Sequence, residues 1–352
     1  MHLDSLKIQN FRLFEDIEVK KLGHVNLIVG KNNSGKSTVL EALALLASGF
    51  EPETVNRLTK NREVNRHVSN NEKIKDYSSL SFKYLFNIAS LKNKEPKVTI
   101  GNDNLYISFK YGDLFSADKE EGVYDFHIAG LNYDERLVVS SNFELNHLDV
   151  SNSFFEFKTY PILNFQYVDT NPVDIITLAG EWDDIILTEA EDLALQMLRL
   201  IEPQIIDLAF INQDNQRTPF VRLKDISERT PLHNMGDGIF RLLQIILKVL
   251  QARDGFLLID EFENGLHYSV QPEVWRLIFE LSQRYNIQVF ATTHSWDCIE
   301  SFAKVAKERE DLEGVLFRMG RSVRKSDNGK VIATEFNEDE LYNLTKDNIE
   351  VR

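Results

Sequence analysis

Eight consecutive residues constrain this chain more than any others. Gly30-Lys31-Asn32-Asn33-Ser34-Gly35-Lys36-Ser37 follows the G-x-x-x-x-G-K-[ST] pattern of a phosphate-binding loop. Such a loop needs a strand that delivers the chain and a helix that receives it, because backbone N–H groups and a helix N-terminus must point at the phosphates. Both flanks are present. Val25 to Val29 is a short apolar run, and Val39, Leu40, Leu43, Leu46 and Ala47 recur at helical spacing ahead of Gly49. The pattern predicts a strand, a loop and a helix around a nucleoside triphosphate. Lys36 is expected on the β- and γ-phosphates and the Ser37 hydroxyl on Mg²⁺. Asn32, Asn33, Ser34, Gly35 and Thr38 line the same turn. A ligand-free Gly/Asn/Ser-rich turn is the plainer alternative, and it leaves the flanking periodicity unexplained.

Further along, Phe256-Leu257-Leu258-Ile259 runs into Asp260-Glu261, with Asp260 lying 224 positions after Lys36. Four apolar residues read as a buried strand that carries two acids to the sheet edge, the Walker B pattern. There Asp260 can hold Mg²⁺ or its water, and Glu261 can take a proton from an attacking water. Before that strand, Asn234-Met235-Gly236-Asp237-Gly238-Ile239-Phe240-Arg241 opens a helical stripe of Ile239, Leu242, Leu243, Ile246, Val249 and Leu250. Gly236 and Gly238 permit close backbone approach, and a helix N-terminus favours an anion.

The rest of the chain organises around these motifs. Residues 1–50 read as the first part of a nucleotide-binding core, with a hairpin through Leu6, Ile8, Phe11 to Phe14, Ile17 and Val19. Residues 51–96 form a polar insertion bearing Arg57, Lys60, Arg62, Arg66, Lys73 and Lys75, expected to be solvated. Residues 97–170 are β-rich and punctuated by Gly101, Gly112, Gly122 and Gly130, as in an antiparallel meander. Residues 171–230 turn helical, with Thr188 and Glu191 spaced as a capping box, and read as a helical arm. Residues 231–352 alternate strand and helix, which implies a parallel sheet, and close with a hairpin around Asp327-Asn328-Gly329. The fold class is α/β, with a mixed sheet, an antiparallel β region and a helical arm.

Taken together, Ile8 to Phe14, Gly30 to Thr38, Met235 to Arg241, Leu257 to His267 and Thr292 to Asp297 resemble the ABC-type ATPases that include RecF, the SMC proteins and the OLD family. They are particularly similar to AAA-family ATPases of the OLD-like branch found in bacterial defence loci. The resemblance implies ATP and Mg²⁺ as ligands and an ABC-type core. It makes His294, directly after the strand that follows Walker B, a switch histidine that senses the γ-phosphate. It makes Gly236-Asp237-Gly238 a signature that donates to the γ-phosphate held by a second copy, so the partner would be a homodimer or higher oligomer. It places Asn10, Phe11 and Arg12 near the nucleotide. The Ser-Gly-Gly core of transporter signatures is missing here, and Gln166 is the best candidate for a metal-side Q-loop glutamine.

Other classes fit less well. Asn93-Lys94-Glu95-Pro96 fails the guanine-reading pattern at its fourth position, and AAA+ motors place Walker B far closer to Walker A. Only 58 residues follow His294, too few for the nuclease domain of full-length OLD enzymes, and no heptad coiled coil supports an SMC clamp. The net charge of −15 argues against a uniformly nucleic-acid-binding surface but not against local contacts. The basic segment from Arg57 to Lys75, with Arg321, Arg324 and Lys325, is the place for DNA or an acidic partner. One cysteine, Cys298, no basic-then-apolar leader and no long apolar run predict a cytoplasmic protein without a membrane span. The expected function is a switch that dimerises on ATP and controls a separate DNA-acting or toxin effector in phage defence, with a RecF-type DNA repair and maintenance ATPase that binds DNA directly as the alternative.

Overall fold

Near-continuous apolar runs along short strands, such as Val25–Val29 and Phe256–Ile259, give this chain a sheet buried on both faces. In the computed structural model the described residues are 2–49, 51, 54–55, 57–58, 85–87, 89–90, 97–112, 123–130, 133–140, 163–170, 174–213, 216–309, 311–324, 327, 329–336, 340–341 and 343. In chain order the first elements are β1 (Leu6–Phe11), β2 (Phe14–Val19), β3 (Val25–Val29), α1 (Lys36–Ser48), β4 (Lys97–Gly101), β5 (Leu105–Gly112), β6 (Val123–Gly130), β7 (Tyr133–Ser140) and β8 (Phe165–Val168). The arm follows as α2 (Ile175–Asp183), α3 (Glu189–Leu198), β9 (Ile205–Gln213), β10 (Gln216–Leu223) and β11 (Thr230–Pro231). The last part holds α4 (Asp237–Gln251), β12 (Phe256–Ile259), α5 (Gln271–Arg284), β13 (Gln288–Thr293), α6 (Trp296–Glu308), β14 (Gly314–Arg321) and β15 (Val331–Phe336).

Three sheets result. The central one runs β15-β14-β3-β13-β12-β8 and is parallel except for the β15 edge strand. An antiparallel sheet runs β2-β1-β4-β5-β6-β7, and a small one β11-β10-β9. Strand parity divides the central sheet between two cores. Val25, Leu27, Val29, Leu257 and Ile259 face one core with residues of α2 to α6. Ile28, Phe256 and Leu258 face the other with α1 and the antiparallel sheet. Helix α1 is buried along most of its length because it lies between the two sheets' layers, and Gly49 ends it in a left-handed conformation at φ +59°. Burying Val39, Leu40, Leu43 and Leu46 there contributes about 1.5–3 kcal/mol each.

The parallel strands β3, β12 and β13 all end at one edge, so Val29, Ile259 and Thr293 deliver their following loops side by side. The segment 171–230, expected as a helical arm, is helical only as far as Leu198; β9, β10 and β11 then pair as a small antiparallel sheet. Two turns also differ from sequence expectation. The capping pair is displaced by one residue: the Thr188 hydroxyl accepts from Ala190 N, while the Glu191 carboxylate accepts from Leu187 N. The β14–β15 connection is longer than a two-residue turn, closing through Ser322 N to Lys330 O and Lys330 N to Asp327 O. Lys60, Arg62, Arg66, Lys73, Lys75 and Lys325 lie outside the described residues. Among the described residues no helix is long and apolar enough to cross a membrane.

Candidate active site

From Val29 the chain enters a loop whose backbone only small residues tolerate. Gly30 sits at φ +147° and Gly35 at φ +100°. A Cβ on Gly35 would lie 2.6 Å from the Phe14 ring, and one on Gly30 would lie 2.4 Å from the Met319 carbonyl oxygen. The loop is thus wedged between β2 and β14. Gly35 is also the N-cap of α1 and offers no side-chain cap, so the first-turn N–H groups have no side-chain acceptor. An anion completes such a helix start. The Lys36 ammonium donates to Gly30 O at 2.9 Å and Lys31 O at 3.3 Å, folded back over the loop it closes. Burial pushes its pKa down, and the carboxylates of Asp260, Glu263 and Glu261 oppose that shift.

Walker A and Walker B meet through side chains. The Ser37 hydroxyl donates to Asp260 Oδ1 at 3.0 Å, across 223 residues of sequence. The same oxygen accepts from the Thr292 hydroxyl at 2.5 Å, and Thr292 Oγ1 in turn accepts from Glu261 N at 2.8 Å. Glu261 occupies the left-handed region at φ +49°, a conformation that costs a non-glycine residue about 1 kcal/mol and clusters at working sites. Ser37 and Asp260 offer hard oxygens in contact with each other. Among the described residues no group of three or more His, Cys, Asp or Glu is gathered as a metal cage. This sparse oxygen set fits Mg²⁺, which keeps waters and takes its remaining ligands from phosphate.

His294 stands just past β13, at the same sheet edge, with its side chain half exposed. Glu263 organises it: Oε1 accepts from His294 N at 2.9 Å and Ser295 N at 3.1 Å, and lies 3.1 Å from His294 Nδ1. Gly236-Asp237-Gly238 opens α4 as expected. Gly236 is the N-cap at φ +89°, without a side-chain cap and with nothing within 4 Å of a Cβ built there. Gly238 is different: a Cβ on it would lie 2.6 Å from Gly265 O, so this glycine packs the helix start against the turn after Walker B.

Four residues from the sequence reading are engaged by other parts of the chain. Gln166 faces α4, where its amide oxygen accepts from Lys248 Nζ at 3.1 Å. In register it pairs Leu257, three positions short of Asp260, roughly 10 Å down the strand. It is not brought to the Ser37–Asp260 pair. Asn10, Phe11 and Arg12 serve the fold. Asn10 Nδ2 donates to Lys97 O, Phe11 is fully buried, and the buried Arg12 guanidinium pairs with Glu41 and donates to Leu58 O. Their neighbours Leu13 and Phe14 touch the loop at Gly35 instead.

Thr292, Glu263 and Arg241 belong to this site without having been singled out. The signals were a Thr-Thr pair ending an apolar strand and a charge inside an apolar helical stripe. Thr292→Val keeps the shape and removes both hydroxyl bonds. Hydrogen bonds to charged groups contribute about 1.5–3 kcal/mol, so steady-state turnover is expected to fall about 10- to 100-fold with the fold intact. Turnover within twofold of wild type would show that the hydroxyl does not orient Asp260 and Glu261.

Comparison with known proteins gives the family and the fold. The model of the AAA ATPase domain family matches residues 1–177 and 177–299. An ATP/GTP phosphatase of Helicobacter pylori is 24% identical over 343 residues, covering 88% of this chain and 89% of that protein. RecF, a DNA replication and repair protein, from Listeria welshimeri is 39% identical over 56 residues, 16% of this chain and 15% of that one. Among solved structures, an SMC head bound to the C-terminal winged-helix domain of ScpA superposes with TM-score 0.55 at 14% identity, covering 96% of this chain and 98% of that one. An SMC head with an extended coiled coil, bound to a ScpA domain derived from Pyrococcus furiosus, gives 0.53 at 11% identity over 99% and 100%. The fold is that of an SMC-head, ABC-type ATPase, and the chain belongs to the AAA ATPase domain family.

Proposed function

We propose that this ATPase is a switch: two copies pair head to tail around two Mg-ATP molecules, and hydrolysis lets them separate. The carrying observation is the open start of α4. A chain with one phosphate loop presents an uncapped, unobstructed helix N-terminus at Gly236, the feature that would cap the γ-phosphate held by another copy. Lys36 leaves the carbonyls of Gly30 and Lys31 for phosphate oxygens. Ser37 and Asp260 would hold Mg²⁺, which would supply charge neutralisation on the phosphates. Glu261 takes the proton of the attacking water, and His294, fixed by Glu263, faces the γ-phosphate. The output is control of a separate effector, a nuclease or toxin, in antiviral defence, which rests on the resemblance to ATPases of defence loci.

If pairing completes the site, turnover per subunit rises with protein concentration and then levels. Gly236→Asp is the variant for blocking it: a side chain there meets no neighbour within the chain, and because φ +89° strains any side chain, a thermal melt is run beside it to show that the protein stays folded. A wild-type turnover per subunit that stays flat from nanomolar to micromolar protein, with Gly236→Asp equally active, rejects the proposal. A RecF-type role in direct DNA binding is the second reading. It is favoured by the RecF-like stretch and by the β14–β15 connection, where Arg324 is exposed beside Val323, which is 98% exposed. Binding to duplex DNA that weakens steeply with salt and is lost on reversing Arg321 and Arg324 would select it.

A further inference from the structure

Arg241 lies one helical turn past the signature glycine Gly238, on the face of α4 turned to the central sheet. It is 6% exposed. A buried guanidinium ordinarily takes a carboxylate partner, because desolvating an unpaired charge is costly. Here three hydrogen bonds go to main-chain carbonyls and one to a side-chain amide oxygen instead. Nη1 donates to Asp169 O at 2.5 Å and to the Gln244 side-chain oxygen at 3.2 Å. Nη2 donates to Asp260 O at 2.6 Å and Glu261 O at 3.1 Å. One rigid fork therefore ties the signature helix to the ends of two parallel strands, including both Walker B acids. Burial lowers the Arg241 pKa, and the carboxylates of Asp260, Asp169, Glu263 and Glu261 oppose the shift. The planar fork spans both strand ends, which a lysine ammonium, a point donor, does not reproduce.

The backbone it holds is the strained one. Glu261 is kept at φ +49° by two bonds on its peptide groups: Thr292 on its N–H and Arg241 on its C=O. The signature end of α4 is packed to the same turn through Gly238 and Gly265. We propose that Arg241 is the positioning residue that couples the signature helix to Glu261, so that phosphate bound at Gly236–Gly238 from a second copy sets the aim of the base. This deepens the proposed function and rests on Glu261 being that base.

A double-mutant cycle in the full-length protein tests it, with single-turnover hydrolysis of labelled Mg-ATP as the readout and thermal melts to check folding. Arg241→Lys keeps the charge and a donor. It is expected to lower the hydrolysis rate about 10- to 100-fold, the scale of a misplaced catalytic group, with KM and nucleotide affinity within about threefold. Arg241→Met should lose at least as much. Should it prove unfolded, the lysine variant carries the test alone. In a Glu261→Gln background the same Arg241 changes should cost less than about threefold, because there is no base left to aim. An equal loss in both backgrounds, or a loss confined to KM, would make Arg241 a structural strut and overturn the coupling. A folded Arg241→Lys protein hydrolysing within twofold of wild type would also overturn it. Full activity of Glu261→Gln alone is a different failure: it removes the base assignment, and the coupling with it.

Discussion

Glu261→Gln is expected to slow hydrolysis by about 10²- to 10⁴-fold, the range for losing a positioned general base, while nucleotide stays bound. The amide keeps the size of the carboxylate and the backbone bonds to Thr292 and Arg241. The Ser37–Asp260 pair and the Lys36 ammonium are untouched, so affinity for Mg-ATP should stay within a few-fold. The protein should then accumulate in its ATP-bound, paired form. Rapid-quench hydrolysis beside equilibrium nucleotide binding separates the two effects. Loss of binding in step with turnover would mean that Glu261 supports the loop rather than the chemistry. Unchanged turnover would move the base to another group.

Lys36→Ala should weaken nucleotide binding by about 100-fold or more. Truncating one partner of a desolvated charge pair costs about 2–5 kcal/mol, and 1.4 kcal/mol is tenfold. The half-buried ammonium stands among Asp260, Glu261 and Glu263, so without it the triphosphate meets those carboxylates unscreened. A pH signature accompanies this. Binding needs the protonated amine, and burial lowers the pKa of Lys36 in the free protein. Wild-type affinity should therefore begin to fall with rising pH below the ordinary lysine range, and binding there should take up a proton. The alkaline limb should be missing in Lys36→Ala. Calorimetry in buffers of different ionisation enthalpy reads both. Equal affinity of the two proteins for Mg-ATP would remove Lys36 from the phosphate site.

What was legible in the sequence was local. The phosphate loop, the strand before it and the helix after it are one contiguous pattern, and the apolar run before Asp260 carries its own signal. Parallel pairing followed from strands alternating with helices, as β12, α5 and β13 do. What was not legible depends on contacts between distant residues or on strand parity. Gln166 shares the parity of Val168, which puts its amide toward α4 and Lys248 rather than toward Asp260. Arg12 reads as a nucleotide contact, and its pairing with Glu41 on α1 was not legible in the sequence. Arg241 reads as a break in an apolar stripe. Its meaning appears only when Asp169, 72 positions earlier, and Asp260, 19 positions later, arrive at its guanidinium. The same holds for Thr292, whose hydroxyl joins two acids 32 and 31 residues before it.

Completion of one copy's site by the signature of another is read most directly by light scattering on Glu261→Gln. The expected masses are a monomer with ADP, a dimer with Mg-ATP, and a monomer again when Gly236→Asp is added. A Glu261→Gln protein fully occupied by Mg-ATP and still monomeric at micromolar concentration would contradict it.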